Sequence, residues 1–183
     1  MLPYSMMWLM LGKQQYKEAP CSGRNMVNYW LMKSEPHVYP FEQLEADGST
    51  HWDGVRNYQA RNMMRDDMKM GDLVLFYHSN FKPPHVVGVA RVCKEGYPDH
   101  TAQDSNSKYF DPKATSDNPR WMMVDIEAVT AFANIVPLED VRNNPACEDM
   151  LLVRKGQRLS VQPVEEQHFD TVLAMGGLSR SDL

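Results

Sequence analysis

The sequence predicts an α+β domain built as a small mixed barrel. Three observations carry this. Strand-like apolar runs outnumber long helical patterns, the helical segments fall between strands without alternating strictly, and Gly88 sits inside a β-branched run where a sheet would bend. A doubly wound dinucleotide fold is disfavoured, because no G-x-G-x-x-G follows a strand and no G-x-x-x-x-G-K-[ST] loop exists.

Tyr29 to Lys33 is aromatic and apolar and is stopped by Ser34-Glu35-Pro36, which reads as a buried strand ending in a turn. Pro40 to Gly48 follows as a short helix, opened by proline and closed by glycine. Trp52 to Asn57 is a turn-rich loop, with Asn57 the N-cap of a helix from Tyr58 whose apolar face holds Ala60, Met63, Met64 and Met68. Gly71 closes that helix. Asp72 to Ser79 and His85 to Cys93 form two strands of a hairpin around Pro83-Pro84, and Gly88 marks a bulge or a close backbone approach. Lys94 to Pro119 holds no period and reads as a long loop of the kind that is functional or mobile. Trp121 to Val129 alternates as a half-buried strand. Short helices at 137–142 and 147–152, a strand at Leu159 and Val161, and a final helix from Val164 to Met175 complete the chain.

At 183 residues the chain has room for one domain, expected over residues 28–183. Residues 1–27 are expected to be an appendage outside the domain. Their apolar run Met6 to Leu11 is too short to span a bilayer and has no preceding Lys or Arg, so neither an anchor nor a signal peptide is indicated. The composition is that of a soluble globular protein with no membrane partner. A formal charge of -5 argues against nonspecific coating of duplex DNA and predicts few phosphate contacts with a shallow salt dependence. Residues 1–27 hold Lys13, Lys17 and Arg24 against Glu18, so the remainder is more acidic still. Three dispersed cysteines without a C-x-x-C suggest a reducing compartment, the cytoplasm or, in a eukaryotic cell, the nucleus.

No motif recommends a metal, a cofactor or a covalent nucleophile. What stands out is a set of aromatic residues beside polar ones: Trp30, Trp52, Tyr77, Tyr109 and Trp121. Aromatic faces stack on a planar heterocycle while amides, hydroxyls and backbone groups satisfy its edges, although a single tryptophan is more often core packing. Asn57 has two compatible readings, as a helix cap and, with Arg56 and the helix start, as an anion contact. His78 reads equally as a ligand donor or as a partner of a backbone carbonyl, and Lys33 with Glu35 reads as a surface ion pair.

Tyr29-Trp30-Leu31-Met32-Lys33-Ser34-Glu35-Pro36, then Trp52 to Asn62, then Gly71-Asp72 through Phe76-Tyr77-His78-Ser79, resemble the EVE domain. Gly88-Val89-Ala90, Tyr109 to Lys113 and Arg120-Trp121 continue the likeness in order, over about residues 28 to 177. The resemblance implies a PUA-like mixed β pseudobarrel with flanking helices and a pocket for a modified base of DNA or RNA. It implies Trp30, Lys33, Ser34 and Glu35 on one side of that pocket, Trp52, Val55 and Asn57 on a second, and Tyr77, His78 and Ser79 on a third, with Trp121 as a further wall. In the reading that follows, Asn57 and Ser34 read the base edge while Arg56 and Lys33 touch phosphate. Two alternatives stand beside it: a module for a free nucleoside, nucleotide or other small planar anion, and an enzyme acting on a nucleobase with His78 as general acid or base. No catalytic residue is assigned, and the oligomeric state stays open.

Overall fold

The computed structural model describes residues 27–183, so the expected appendage at residues 1–27 lies outside the described residues but for Val27. Six strands form one mixed sheet in the order β2-β5-β4-β3-β1-β6. Strand β1 (Tyr29–Ser34) lies parallel to β3 (Leu73–His78) and antiparallel to β6 (Val161–Val164). The expected hairpin is β3 with β4 (His85–Pro98), and β4 continues antiparallel to β5 (Met122–Pro137), which β2 (Ser49–His51) borders. The outer strands β2 and β6 do not pair, so the sheet is mixed and six-stranded but not a closed barrel.

Both faces of the sheet are covered. All six residues of β3 are buried, and alternation sends Val74 and Phe76 into one core with Met32, Phe41, Leu44 and Met64. Leu73, Leu75 and Tyr77 enter a second core with Leu31, Val89, Phe169 and Val172. That two-sided burial is why this run is continuously apolar. Helices α1 (Phe41–Asp47), α2 (Tyr58–Asn62), α3 (Leu138–Asn143) and α4 (Glu166–Met175) close the layers. No described helix is long and apolar enough to cross a membrane.

Gly88 serves both roles expected of it. The register shifts beside it, between Val86 and Gly88, and a Cβ there would stand 2.7 Å from the Thr130 carbonyl oxygen and 2.8 Å from the Phe41 ring. The helix expected from Tyr58 to Met70 is shorter and changes pitch: after Asn62 it widens into a π-type turn over Met63–Asp67. Gly96 of β4 crosses that turn so closely that a Cβ would meet the Met64 carbonyl oxygen at 2.5 Å.

The long loop expected from Lys94 to Pro119 is a correction. Strand β4 runs on to Pro98, pairing Tyr97 with Met123, and His100–Ala102 forms a helical turn. In the outer part of β4 Lys94 and Glu95 are exposed and Tyr97 is a single apolar position packed on the core, too little to impose a period of two, so its sequence pattern is silent. β2, three polar residues on an edge, is illegible for the same reason.

Candidate functional site

A cleft of about 670 Å³ opens where the end of β1, β2 and the segment Trp52–Arg56 meet Lys108 and Tyr109. Of the residues expected to bind ligand, it gathers Lys33, Ser34, Glu35, Trp52, Val55 and Arg56. Asp53 joins them from the Trp52–Arg56 segment itself, and Tyr39 and Tyr109 are brought in by chain segments that sequence spacing does not connect.

The Trp52 ring stands edge-on to Phe76, at 5.6 Å and 89°, so its orientation is set by the core while the ring stays half-buried at the cleft. Gly54 adopts φ +71°, and the Tyr109 ring packs so close that a Cβ there would sit 2.6 Å from it. Only glycine combines that backbone conformation with that approach. Beneath them lies a charge network. Arg56 donates from Nη1 to Asp99 Oδ2 at 2.7 Å and to the Val55 carbonyl, and from Nε at 3.0 Å and Nη2 at 2.5 Å to the Tyr109 carbonyl. Its remaining donor faces Thr101 Oγ1 at 3.5 Å. Asp99 also accepts from the Gly54 amide and from Thr101. Burial works against its charge, yet the hydrogen bonds from Thr101, Arg56 and Gly54 together hold its carboxyl below the usual carboxylate range.

This network corrects the expected phosphate role of Arg56, since every N–H of the guanidinium already faces an acceptor of the protein. Asn57 caps α2 as expected, its Oδ1 accepting from Gln59 and Ala60 at 2.9 and 3.1 Å, and it lies outside the cleft lining. Ser34 donates to the Tyr39 carbonyl at 2.6 Å, which fixes the turn carrying Tyr39. Glu35 bonds Asn80 and His37, not Lys33 as expected. Burial lowers the Lys33 pKa, and its ammonium stands 5.8 Å from the centre of the Tyr77 ring with no carboxylate in ion-pairing distance among the described residues.

Five further expected residues lie elsewhere. Trp30 is core: only 4% exposed, it donates its indole N–H to Asp72 at 2.9 Å, and it is absent from the cleft because it sits at the far end of β1. His78 is buried between Phe76 and His85, and its Nε2 accepts from the Phe41 amide at 3.3 Å. Burial, with the nearby His85, pushes its pKa down, so it is held as a neutral structural acceptor away from the cleft. Trp121 packs with Ala102 and Ala114, donates to Asp111 at 2.7 Å and stacks on Tyr58. Tyr77 and Ser79 line a neighbouring cleft that shares Lys33 with the first.

Asp149, Glu165 and His168 bring potential ligand atoms within 4.8 Å of one another, but the buried His168 ring already bonds Asp149 at 2.8 Å and both acids are exposed. The His168–Asp149 pair ties α4 to the segment around Asp149.

The relatives of this chain agree with its fold. Thymocyte nuclear protein 1 of Mus musculus is 40% identical, across 84% of this chain and 75% of that protein. The crystal structure of the human THYN1 protein in complex with DNA containing 5-methylcytosine is 40% identical, with a TM-score of 0.75 over 81% of this chain and 97% of that one. A protein from Pseudomonas syringae is 43% identical, with a TM-score of 0.78 over 81% and 99%. The EVE domain model matches residues 28–175, and with these relatives it shows that the chain belongs to the EVE domain family.

Proposed function

We propose that the protein reads a modified base in nucleic acid, with a methylated cytosine in DNA as its preferred guest. The observation that carries this is the cleft itself: the rings of Trp52 and Tyr109 share it with the Asp53 carboxylate and the Lys33 ammonium. An aromatic face stacks on a pyrimidine whatever its sequence context. A carboxylate accepts from the cytosine exocyclic amine, which thymine lacks, and an ammonium donates to the ring carbonyl. Asp53 is better placed for this than Glu35, which is held by Asn80 and His37, whereas among the described residues Asp53 has only His51 at 4.0 Å. Val55 offers apolar surface to a methyl group. The human THYN1 complex with 5-methylcytosine DNA supports the same choice of guest. The working compartment is then the one that holds the nucleic acid, the nucleus in a eukaryotic cell or the cytoplasm in a bacterium, and the word nuclear in the relatives' name accords with the former.

The test is a fluorescence titration with matched oligonucleotides carrying cytosine or 5-methylcytosine, beside free 5-methyldeoxycytidine. Trp52→Ala is expected to weaken the modified strand by about 5- to 150-fold, the worth of one stacking wall. Asp53→Asn is expected to narrow the preference for cytosine over thymine derivatives. Equal affinity for modified and plain strands overturns the base-reader reading. Equal affinity for the free nucleoside and the strand moves the protein to the class of small planar ligand binders.

A further inference from the structure

The neighbouring cleft, about 390 Å³, is lined by Lys33, Arg142, Arg154, Lys155 and Arg158, and no carboxylate among the described residues lines it. In an acidic chain, such a gathering of cations has to be built. The loop that carries most of it is anchored at both ends: Leu152 is buried in one core and Leu159 in the other. Between them Gly156, at φ +79°, turns the chain, Gln157 N–H bonds the Arg154 carbonyl at 3.2 Å, and the Gln157 side chain accepts from the Leu159 amide at 2.8 Å. The exposed side chains of Arg154, Lys155 and Arg158 therefore stand on a fixed frame. Arg142 is tied to Glu139 at 2.9 Å, and Arg154 reaches the Asp149 carbonyl at 3.3 Å, while Lys155 and Arg158 have no ion-pair partner among the described residues.

Gathering four or five like charges side by side costs free energy through their mutual repulsion unless an anion meets them. From the cations, the absence of acids in the lining and the continuity with the base cleft through Lys33, we infer that this second cleft is the track for the sugar-phosphate backbone of the strand whose base enters the first. The inference takes its ligand from the base-reader reading above, and it revises the shallow salt dependence expected from net charge. The average charge of the chain conceals a local basic face. Phosphates lie in the track while Lys33, at the junction, bridges the nucleotide that leaves it for the cleft.

The experiment measures the affinity of a short unmodified single strand, the same strand with one 5-methylcytosine, and free 5-methyldeoxycytidine, across a salt series. The variants are Arg154→Gln/Lys155→Gln/Arg158→Gln and, as a control of equal charge change, Lys69→Gln/Arg91→Gln/Lys94→Gln, whose cations each face a carboxylate at 3.5 to 3.9 Å. Loss of three phosphate contacts is expected to flatten the slope of log K against log salt by about 2 for both strands, at roughly 0.7 per phosphate. Affinity for the free nucleoside is expected to hold, which also shows that the variant is folded. A slope unchanged in the track variant, or flattened equally in the control, overturns the inference. So does displacement of the plain strand by inorganic phosphate at matched ionic strength, which marks a single-anion site. Failure of the base reading appears separately, as equal affinity for the two strands in the unsubstituted protein, and the slope of the plain strand still decides the track.

Discussion

Gly54→Ala is the perturbation that links the stability of the domain to the shape of its cleft. At φ +71° an L-residue pays about 1–2 kcal/mol for left-handed backbone. The new Cβ would also stand 2.6 Å from the Tyr109 ring, where carbon atoms rest at roughly 3.5–4.0 Å, so the ring must retreat by about 1 Å. Overpacking of that kind costs about 1–3 kcal/mol. The retreat is not free to spread, because the Tyr109 carbonyl is pinned by Arg56 from Nε and Nη2. The expected loss is about 2–5 kcal/mol, a large part of a typical domain's stability of about 5–15 kcal/mol. Gly156→Ala supplies the comparison, since it has a similar φ of +79° with nothing within 4 Å of the added Cβ, and should lose only the backbone part. Urea unfolding of both variants, with the slope checked for constancy, gives the difference. Tyr109→Ala in the Gly54→Ala background should restore the steric part, as a coupling between neighbours. If Gly54→Ala and Gly156→Ala cost the same to within about 0.5 kcal/mol, the account of Tyr109 against Gly54 is wrong.

Two more outcomes are expected. Asp99→Asn leaves Arg56, whose side chain is 23% exposed, without its counter-charge and should cost about 3 kcal/mol at neutral pH. Since the folded-state pKa of Asp99 is depressed, its contribution is full above the ordinary value near 3.9 and is lost as pH falls through the lower folded value; urea midpoints measured down that acid range should fall more gently for the variant, and parallel curves would refute the assignment. Trp30→Phe removes an indole donor from the Asp72 carboxylate and should cost about 1.5–3 kcal/mol in unfolding while leaving oligonucleotide affinity as it was; a selective loss of affinity would return Trp30 to the binding site.

Strands β1, β3 and the first half of β4 were legible because burial imposes apolar residues on them, and Asn57 because a cap is a local device, needing only the helix it precedes. The site was legible to the extent that it is local. Lys33, Ser34 and Glu35 stand together at a strand end, and Trp52 to Arg56 form one turn-rich segment. Trp30 and Trp121 misled because composition cannot tell a buried indole with an acceptor of its own from one that faces a ligand; the difference is made by Asp72 and Asp111, 42 and 10 residues away. Arg56 misled in the same way, since its acceptors Asp99 and Tyr109 are separated from it by 43 and 53 residues. The basic track escaped a reading of net charge because an average over the chain has no position in space.

The place of β1 in the sheet bears on how the domain is born. The strand that opens the described domain is interior, and the neighbour on its outer flank is β6, whose residues are 161–164. On the ribosome β1 emerges long before β6, so its outer row of amides and carbonyls must wait for nearly the whole domain to be made before it is covered. Until then the nascent chain carries a bare, largely apolar strand edge of the kind that recruits other chains. Completion of the sheet is thereby tied to completion of synthesis, and a product that stops short of Val161 would keep that edge open for its whole lifetime.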